Sequence, residues 1–394
     1  MWDRLRNNTD MTGRNASPPA QWLPDDLVLG LDVGGTKLAA GVVRADGRVL
    51  SVKVAPSRPE EGPDGMIPRH LELGRDAVAG AGVSWADVRA VGIACGGPLD
   101  PVAGIIQSPL SLPGWDEVPL VDIVSTALDR PAAVENDATA GALAEWWYGA
   151  GRSRGVRNLV FLTISTGIGG GLVLDGSLYR GAAGNAGELG HLTVDYLGRQ
   201  CACGRRGCLE AYASGTNIAA RASEALATGE GSVLSGADRV TAKDVAEAAA
   251  AGDPLAARIW DETTAILASA VANILDIFNP ELVVLGGGVT RAGDQLLGPV
   301  RAGSIAQAMP PAARTADVVL AGLGEHLGVV SAAAVALERL DRPPDGATDP
   351  ERPHARAGDR REASVGSRGA GGAKGGKGTD GATARATTAS GNGR

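Results

Sequence analysis

Residues 27–55 read LVLGLDVGGTKLAAGVVRADGRVLSVKVA. Three apolar runs, LVLGLDV, LAAGVV and RVLSVKV, have the length and β-branched content of strands. Ala45-Asp46-Gly47 is a hairpin turn signal between the second and third. The turn between the first and second is Gly34-Gly35-Thr36-Lys37. Glycines there let backbone N–H groups approach an anion, and Thr36 and Lys37 add a hydroxyl and a cation. Asp32, at the first strand's end, is placed to hold Mg²⁺ through water. Neither the spacing nor the strand-to-strand context is that of a Walker loop. Taken alone, the stretch also suits an ordinary glycine-rich hairpin.

The design recurs. NLVFLTISTGIGGGLVLDGSLYRG at 158–181 is again strand, glycine-rich turn (Thr166, Gly167, Gly169 to Gly171) and strand, about 130 residues downstream. ELVVLGGGVT at 281–290 adds a strand followed by Gly286, Gly287 and Gly288, suited to closing over an adenosine. Two phosphate hairpins facing each other from two lobes make a nucleotide-clamping α/β architecture. Between the hairpins the pattern predicts a helix over about 65–81, a strand at 90–96, a loop at 108–120, a helix from Leu120 to Leu128 and a short strand, Ala132 to Glu135. That strand runs into Glu135-Asn136-Asp137, and a helix follows at once. A carboxylate at a strand's carboxyl end and a helix's N-terminus is where open α/β folds put chemistry. Asp is also an ordinary helix cap, and the local sequence by itself favours capping at Asp137.

GELGHLTVDYLGRQCACGRRGCLE (187–210) carries three of the four cysteines and one of the four histidines. His191, Cys201, Cys203 and Cys208 make a Cys₃His set, the donor set of a closed structural zinc site. Glycines at 198, 204 and 207 let the chain turn so that the sulfurs converge. Three cysteines in the cluster, an odd number, without a secretory leader argue against a disulfide framework. Cys95, in the run VGIACGG, reads as a small buried residue. Zinc on one imidazole nitrogen leaves the other as an N–H donor of fixed direction. Glu188 and Glu210 bracket the cluster, so the loop offers carboxylates to a polyhydroxylated substrate.

The chain has 394 residues and a formal charge of −8. From 341 onward, ten basic and seven acidic residues give +3, so 27 basic against 38 acidic residues leave the body at −11. An acidic body argues against nucleic-acid binding. Residues 1–26 lack an apolar leader core and read as a disordered lead-in, too short for a helix-turn-helix domain. The most apolar long stretch, 263–279, is broken by Asn273 and Asp276 and too short for a membrane span. Residues 212–276 are alanine-rich and helical, with turns around Gly229–Gly236 and Gly252-Asp253-Pro254. Residues 341–394 have no apolar periodicity and read as a disordered tail. The expected organisation is an N-terminal lobe at 27–137 and a C-terminal lobe at 138–340 carrying the loop 187–210. The cysteine usage fits the cytoplasm.

DVGGTK (32–37), ENDATAGAL (135–143), TGIGGG (166–171), GNAGELGH (184–191) and CACGRRGCLE (201–210) resemble the ROK sugar kinases, over about 27–340 and in the family's order. The resemblance implies an actin-like ATPase (ribonuclease H-like) fold, ATP and Mg²⁺, a structural Zn²⁺ and a homodimer or homotetramer. It puts Asp137 on the family's catalytic base, and Asn136, Glu188, His191 and Glu210 on its sugar contacts. It puts His191, Cys201, Cys203 and Cys208 on its zinc ligands. Asp32, Gly34, Gly35, Thr36, Lys37, Thr166, Gly167 and Gly286 to Gly288 fall on its nucleotide segments. Ser111 stands where many members have Asn, at a position that reaches a sugar hydroxyl. The implied reaction is phosphorylation of a hexose at O6, glucose first. N-acetylmannosamine, N-acetylglucosamine, fructose and allose kinases are alternatives. A sugar-responsive repressor of the same family is disfavoured by the short lead-in.

Overall fold

In a computed structural model of the chain, the structure describes residues 16–109 and 111–341. The readings for residues 1–15 and 342–394 fall outside them. The first half holds β1 (Leu27–Val33), β2 (Lys37–Arg44), β3 (Val49–Pro56), α1 (Gly62–Ala81), β4 (Val88–Cys95), β5 (Leu99–Asp100), β6 (Ile105–Ile106), α2 (Leu120–Leu128), β7 (Ala132–Asn136) and α3 (Asp137–Trp147). The second holds β8 (Leu159–Ile164), β9 (Ile168–Leu174), β10 (Ser177–Leu178), α4 (Glu210–Ala213), α5 (Gly215–Ala227), α6 (Ala242–Ala250), α7 (Pro254–Phe278), β11 (Leu282–Gly286), α8 (Asp294–Gln307), α9 (Pro310–Thr315), β12 (Asp317–Leu320) and α10 (Leu327–Arg339).

Ten of these strands form two five-stranded sheets, ordered β3-β2-β1-β4-β7 and β10-β9-β8-β11-β12, and β5 pairs with β6 alone. The two orders are the same. Each begins with two antiparallel hairpins and ends with two parallel additions. This duplicated α/β arrangement is the actin-like ATPase fold. β1 is buried at nearly every position, which a central strand covered on both faces requires. β3, at the edge, has no buried residue.

Two helices lie between the sheets. In α3 every residue from Ala138 to Trp147 is buried, and in α10 every residue from Val329 to Leu337. A helix buried on all sides must be built from small apolar residues, and ATAGALA and VVSAAAVAL are. Glycine makes the fit possible. Gly41, Gly30 and Gly92 line up across β2, β1 and β4. A Cβ at Gly30 would stand 2.2 Å from the carbonyl oxygen of Val329, and one at Gly92 would stand 1.7 Å from that of Ala332. α10 therefore lies backbone against backbone on the first sheet. α3 seats on the second sheet in the same way. A Cβ at Gly171 would stand 2.4 Å from the Ala138 carbonyl oxygen, and one at Gly141 would enter the Phe161 ring.

Residues 16–26, read from composition as part of a disordered lead-in, instead pack on the first sheet. Trp22 is 5% exposed and joins the apolar cluster of Val28, Val43 and Trp147. Asp26 accepts from Leu23 N–H at 2.8 Å, and its carbonyl accepts from Ala45 N–H at 2.9 Å. A polar average conceals the single tryptophan that supplies the burial.

Overpacking a tight core contact typically costs 1–3 kcal/mol, and here the obstacle is a backbone carbonyl that no rotamer can move. Gly92→Ala is expected to destabilise the protein by about 3 kcal/mol in a denaturant titration, against less than about 0.5 kcal/mol for Gly298→Ala, whose Cβ meets nothing within 4 Å. Equal midpoints for the two variants would contradict the packing argument.

Candidate functional site

The parallel strands of the first sheet bring their carboxyl ends into line: Val33 pairs with Cys95, and Cys95 with Asn136. Asp32, the Gly34–Lys37 turn, Gly96-Gly97 and Asn136-Asp137 therefore share one edge. Asn136, rather than Asp137, caps α3. Its Oδ1 accepts from Ala138 N–H at 3.0 Å and Thr139 N–H at 3.1 Å. Asp137 is the first helical residue, and its Oδ1 takes only the adjacent Ala138 N–H at 2.8 Å. With the cap supplied by its neighbour, the Asp137 carboxylate opens into the cleft, where it is accessible to solvent. Desolvation by the surrounding walls still pushes its pKa above the usual aspartate value, and the Ala138 N–H opposes that shift.

Asp32 is half-buried, with its Oδ2 against Gly328 at the start of α10. Burial raises its pKa to about 6, the Asp137 charge adds to the rise and Lys37 opposes it. Two carboxylates thus face each other with one lysine to offset them, an excess of negative charge that suits a divalent cation at Asp32. The Gly34–Lys37 turn is closed by Gly34 N–H donating to the Lys37 carbonyl at 3.1 Å. Gly35 lies under Ser111, whose Oγ also borders Gly96, so Ser111 sits over the glycine turn.

The second sheet presents its own glycine turns. Ser165 N–H donates to the Gly167 carbonyl at 2.8 Å, and the Ser165 carbonyl accepts from Gly215 N–H at 2.7 Å. Gly287, at φ +90°, passes so close that its Cβ would stand 2.4 Å from the Ile164 carbonyl oxygen. Thr166-Gly167 and Gly287-Gly288 are thereby gathered at one place. Only glycine allows the crossing.

His191, Cys201, Cys203 and Cys208 converge, their ligand atoms all within 4.8 Å of one another. Cys203 Sγ is 3.7 Å from Cys208 Sγ, and Cys201 Sγ is 3.7 Å from His191 Nδ1. A disulfide needs about 2.05 Å. The edge of a zinc–thiolate tetrahedron with 2.3 Å bonds is about 3.8 Å, and these separations match it. The donor set and its spacing fit zinc. The scaffold is local: Thr193 bridges to Cys208, Gln200 to Arg206, and Cys201 N–H donates to the Arg205 carbonyl at 2.8 Å. Arg199 ties the loop to α5 with two bonds to Glu224, at 2.8 and 2.7 Å. With Nδ1 turned to the sulfurs, Nε2 of His191 faces the Glu188 carboxylate at 3.9 Å. Desolvation raises the Glu188 pKa, His191 opposes this, and the Asp137 and Glu210 charges add to it, so these side chains share one cleft.

Glu210 is less free than the sequence implies. Its Oε2 accepts from Ile168 N–H at 2.9 Å and lies against Gly167, while Oε1 stands 4.0 Å from Cys201 Sγ. It fastens the cysteine loop to the second glycine turn and leaves one oxygen for a ligand. Three residues the sequence reading did not single out also shape the site. Glu145, fully buried, accepts from the N–H groups of Ala150, Gly322 and Leu323 at 2.8 to 3.0 Å and ties α3 to the approach of α10. Asn185 Nδ2 donates to the Leu99 carbonyl at 3.3 Å, holding the 181–187 segment to the first half of the chain. Arg180 bonds Glu135, the residue before Asn136, at 2.6 Å.

The profile of the ROK family matches residues 28–339. A glucokinase of Thermotoga maritima is 38% identical over 81% of this chain and 99% of its own length. An N-acetylmannosamine kinase of Escherichia fergusonii is 34% identical over 78% of this chain and 97% of its own. Among solved structures, a ROK family glucokinase from Streptomyces griseus in complex with glucose and AMPPNP is 34% identical and superposes with a TM-score of 0.67, over 78% of this chain and 98% of that one.

Two outcomes follow from the geometry. The purified protein should carry about one zinc per chain by elemental analysis, and chelation should make three thiols reactive to a chromogenic disulfide. A metal-free protein with a stoichiometric disulfide would contradict the assignment. The raised pKa of Asp137 means that folding favours its neutral form, so its ionised form costs stability above the folded pKa and not below the unfolded one. Asp137→Asn should therefore melt higher than the parent at pH 7.5, with the gap closing as pH falls. A lower melting temperature for the variant at pH 7.5 would count against it.

Proposed function

The chain belongs to the ROK family, and from that premise we propose that it is an ATP-dependent hexokinase that phosphorylates glucose at O6. The observation that carries the proposal is the division of labour at the start of α3. Asn136 caps the helix, which leaves Asp137 as an accessible carboxylate at the carboxyl end of a parallel strand, within electrostatic reach of Glu188.

Phosphoryl transfer needs positioning, neutralisation of the phosphates and a group that takes the hydroxyl proton. Asp137 accepts the proton of the sugar's O6 hydroxyl as that oxygen attacks the terminal phosphorus of ATP. Its raised pKa makes it a better proton acceptor than an ordinary aspartate. Glu188 and the free oxygen of Glu210 accept hydrogen bonds from vicinal hydroxyls. His191 Nε2 donates one, its direction set by the Nδ1 side of the ring. Asn136 keeps its Nδ2 for the sugar, because the cap uses only Oδ1. The Gly34–Lys37 and Thr166-Gly167 turns offer backbone N–H groups to the phosphates, and Gly287-Gly288 borders the adenosine. Asp32 would hold magnesium through water, where the cation supplies charge to offset the phosphates. His191, Cys201, Cys203 and Cys208 would hold zinc, which would lend rigidity to the loop that carries Glu188.

One observation favours a second reading. Ser111 is shorter than the Asn implied at that position, and an N-acetylmannosamine kinase is among the relatives, so an N-acetylated hexose is the competing substrate. Placement in the cytoplasm rests on the thiol chemistry. Among the described residues no helix is long and apolar enough to cross a membrane. Assembly as a homodimer or homotetramer completes the reading.

Asp137→Asn should lose about 10³-fold in kcat in a coupled ADP assay while its glucose affinity, read by calorimetry, stays within about threefold. Wild-type turnover by the variant sinks the base assignment. In the same assay the parent should prefer glucose over N-acetylmannosamine, N-acetylglucosamine, fructose and allose. A larger kcat/KM for an N-acetylated sugar replaces glucose with the second reading.

A further inference from the structure

Glu135 directly precedes Asn136 and Asp137, and its carboxylate is fully buried. Oε1 accepts from Asn136 N–H at 3.1 Å. Oε2 accepts from Arg180 Nε at 2.6 Å and Arg339 Nη1 at 3.3 Å. Arg180 then turns its other two nitrogens to Glu338, with Nη2 at 2.7 Å from Oε2 and Nη1 at 3.3 Å from Oε1. Two acids and two arginines balance, and all are buried or mostly buried. Their places in the chain are far apart. Glu135 is the penultimate residue of the outer parallel strand of the first sheet, Arg180 follows the last hairpin of the second, and Glu338 and Arg339 close α10. Both sheets and the last helix therefore meet at one guanidinium.

A lone buried carboxylate would be expelled or neutralised, so Glu135 keeps its place only while its partners hold it. A guanidinium is suited to the task because its fixed fork spans two carboxylates at once, which an ammonium cannot do. The Glu135 backbone leads into the Asn136 cap. Any rotation of Glu135 turns the Asn136 cap, and Asp137, the first residue of α3, with it. The same arginine begins the segment that runs through Gly184 and Asn185 to Glu188, with Asn185 fixed to Leu99. Arg180 thus links the base to the strand of chain that carries a sugar contact.

We propose that Arg180 is a positioning residue for phosphoryl transfer, setting the direction of the Asp137 carboxylate through Glu135 and keeping it in register with Glu188. This rests on Asp137 being the base. Arg180 itself faces Glu135 and Glu338 and needs no contact with sugar or nucleotide. A bridge that served stability alone would lower the melting temperature and leave kcat of the folded protein untouched. A positioning bridge changes kcat more than KM, because the contacts from His191 and Glu210 are anchored by the separate cysteine loop.

The test uses full-length Arg180→Met, Arg180→Lys and Glu338→Gln, with steady-state kinetics on glucose and ATP and hydrogen–deuterium exchange of the peptide spanning 135–139. Arg180→Met should lose about 100-fold in kcat with a glucose KM within about threefold of the parent. Exchange at 136–139 should rise at least about tenfold, with the α7 peptides unchanged. Arg180→Lys, which keeps the charge on Glu135 but not the fork, should recover to within about tenfold of parental kcat. Parental kcat and parental protection at 136–139 in a folded Arg180→Met overturn the inference. So does a uniform rise in exchange over all peptides with kcat per folded molecule unchanged. Should Arg180→Met fail to fold, Arg180→Lys and Glu338→Gln decide, and parental kcat in both overturns it. Should the parent phosphorylate no hexose, the kinase reading falls, and the exchange at 136–139 alone decides the positioning.

Discussion

The approach of two helices to two sheets, backbone to backbone, is the constraint on which the rest depends. A Cβ at Gly92 would stand 1.7 Å from a carbonyl of α10, and one at Gly171 would stand 2.4 Å from a carbonyl of α3. Contact that close leaves the helices no freedom to slide. α3 delivers Asp137 to the cleft from its first turn. α10 sets Gly328 beside Asp32 at one end and Glu338 beside Arg180 at the other. The chemistry is placed by rigid elements and the loops are fastened to them, which is how a site holds groups to within tenths of an ångström.

Charge inside the cleft is arranged in two manners. Asp32, Asp137 and Glu188 are left short of partners, and each has its pKa pushed upward. Glu135 and Glu145 are buried deeper yet satisfied, one by two arginines and a backbone N–H, the other by three backbone N–H groups. The first set is suited to receive hydroxyls, a proton and a cation. The second set holds the frame. Leaving a carboxylate unpaired costs folding stability, and sites of chemistry are where proteins accept that cost.

The parts of this arrangement that are local in sequence were legible in it. The glycine turns between strands, the duplicated hairpins and the Cys₃His spacing announce themselves within windows of 5 to 25 residues, because turn geometry and ligand convergence are short-range demands. The same windows favoured Asp137 as the cap of α3 and were wrong, since Asn and Asp cap equally well and the local sequence does not separate them. Only the hydrogen bonds to Asn136 Oδ1 decide it. The Arg180–Glu135 and Arg180–Glu338 bonds join residues 45 and 158 positions apart, and no period or motif in one chain encodes such a pair. The docking of Trp22 escaped for a related reason. Composition averages a segment, and a single aromatic can outweigh its polar neighbours once a surface exists to receive it.

The central claim is that this cleft moves a phosphoryl group from ATP to a primary sugar hydroxyl. Its most direct test is to incubate the protein with ATP, magnesium and glucose and to identify the products by ³¹P and ¹H NMR. The account predicts glucose 6-phosphate and ADP in equal amounts. Phosphate at a ring hydroxyl, or release of inorganic phosphate with no sugar phosphate formed, would contradict it.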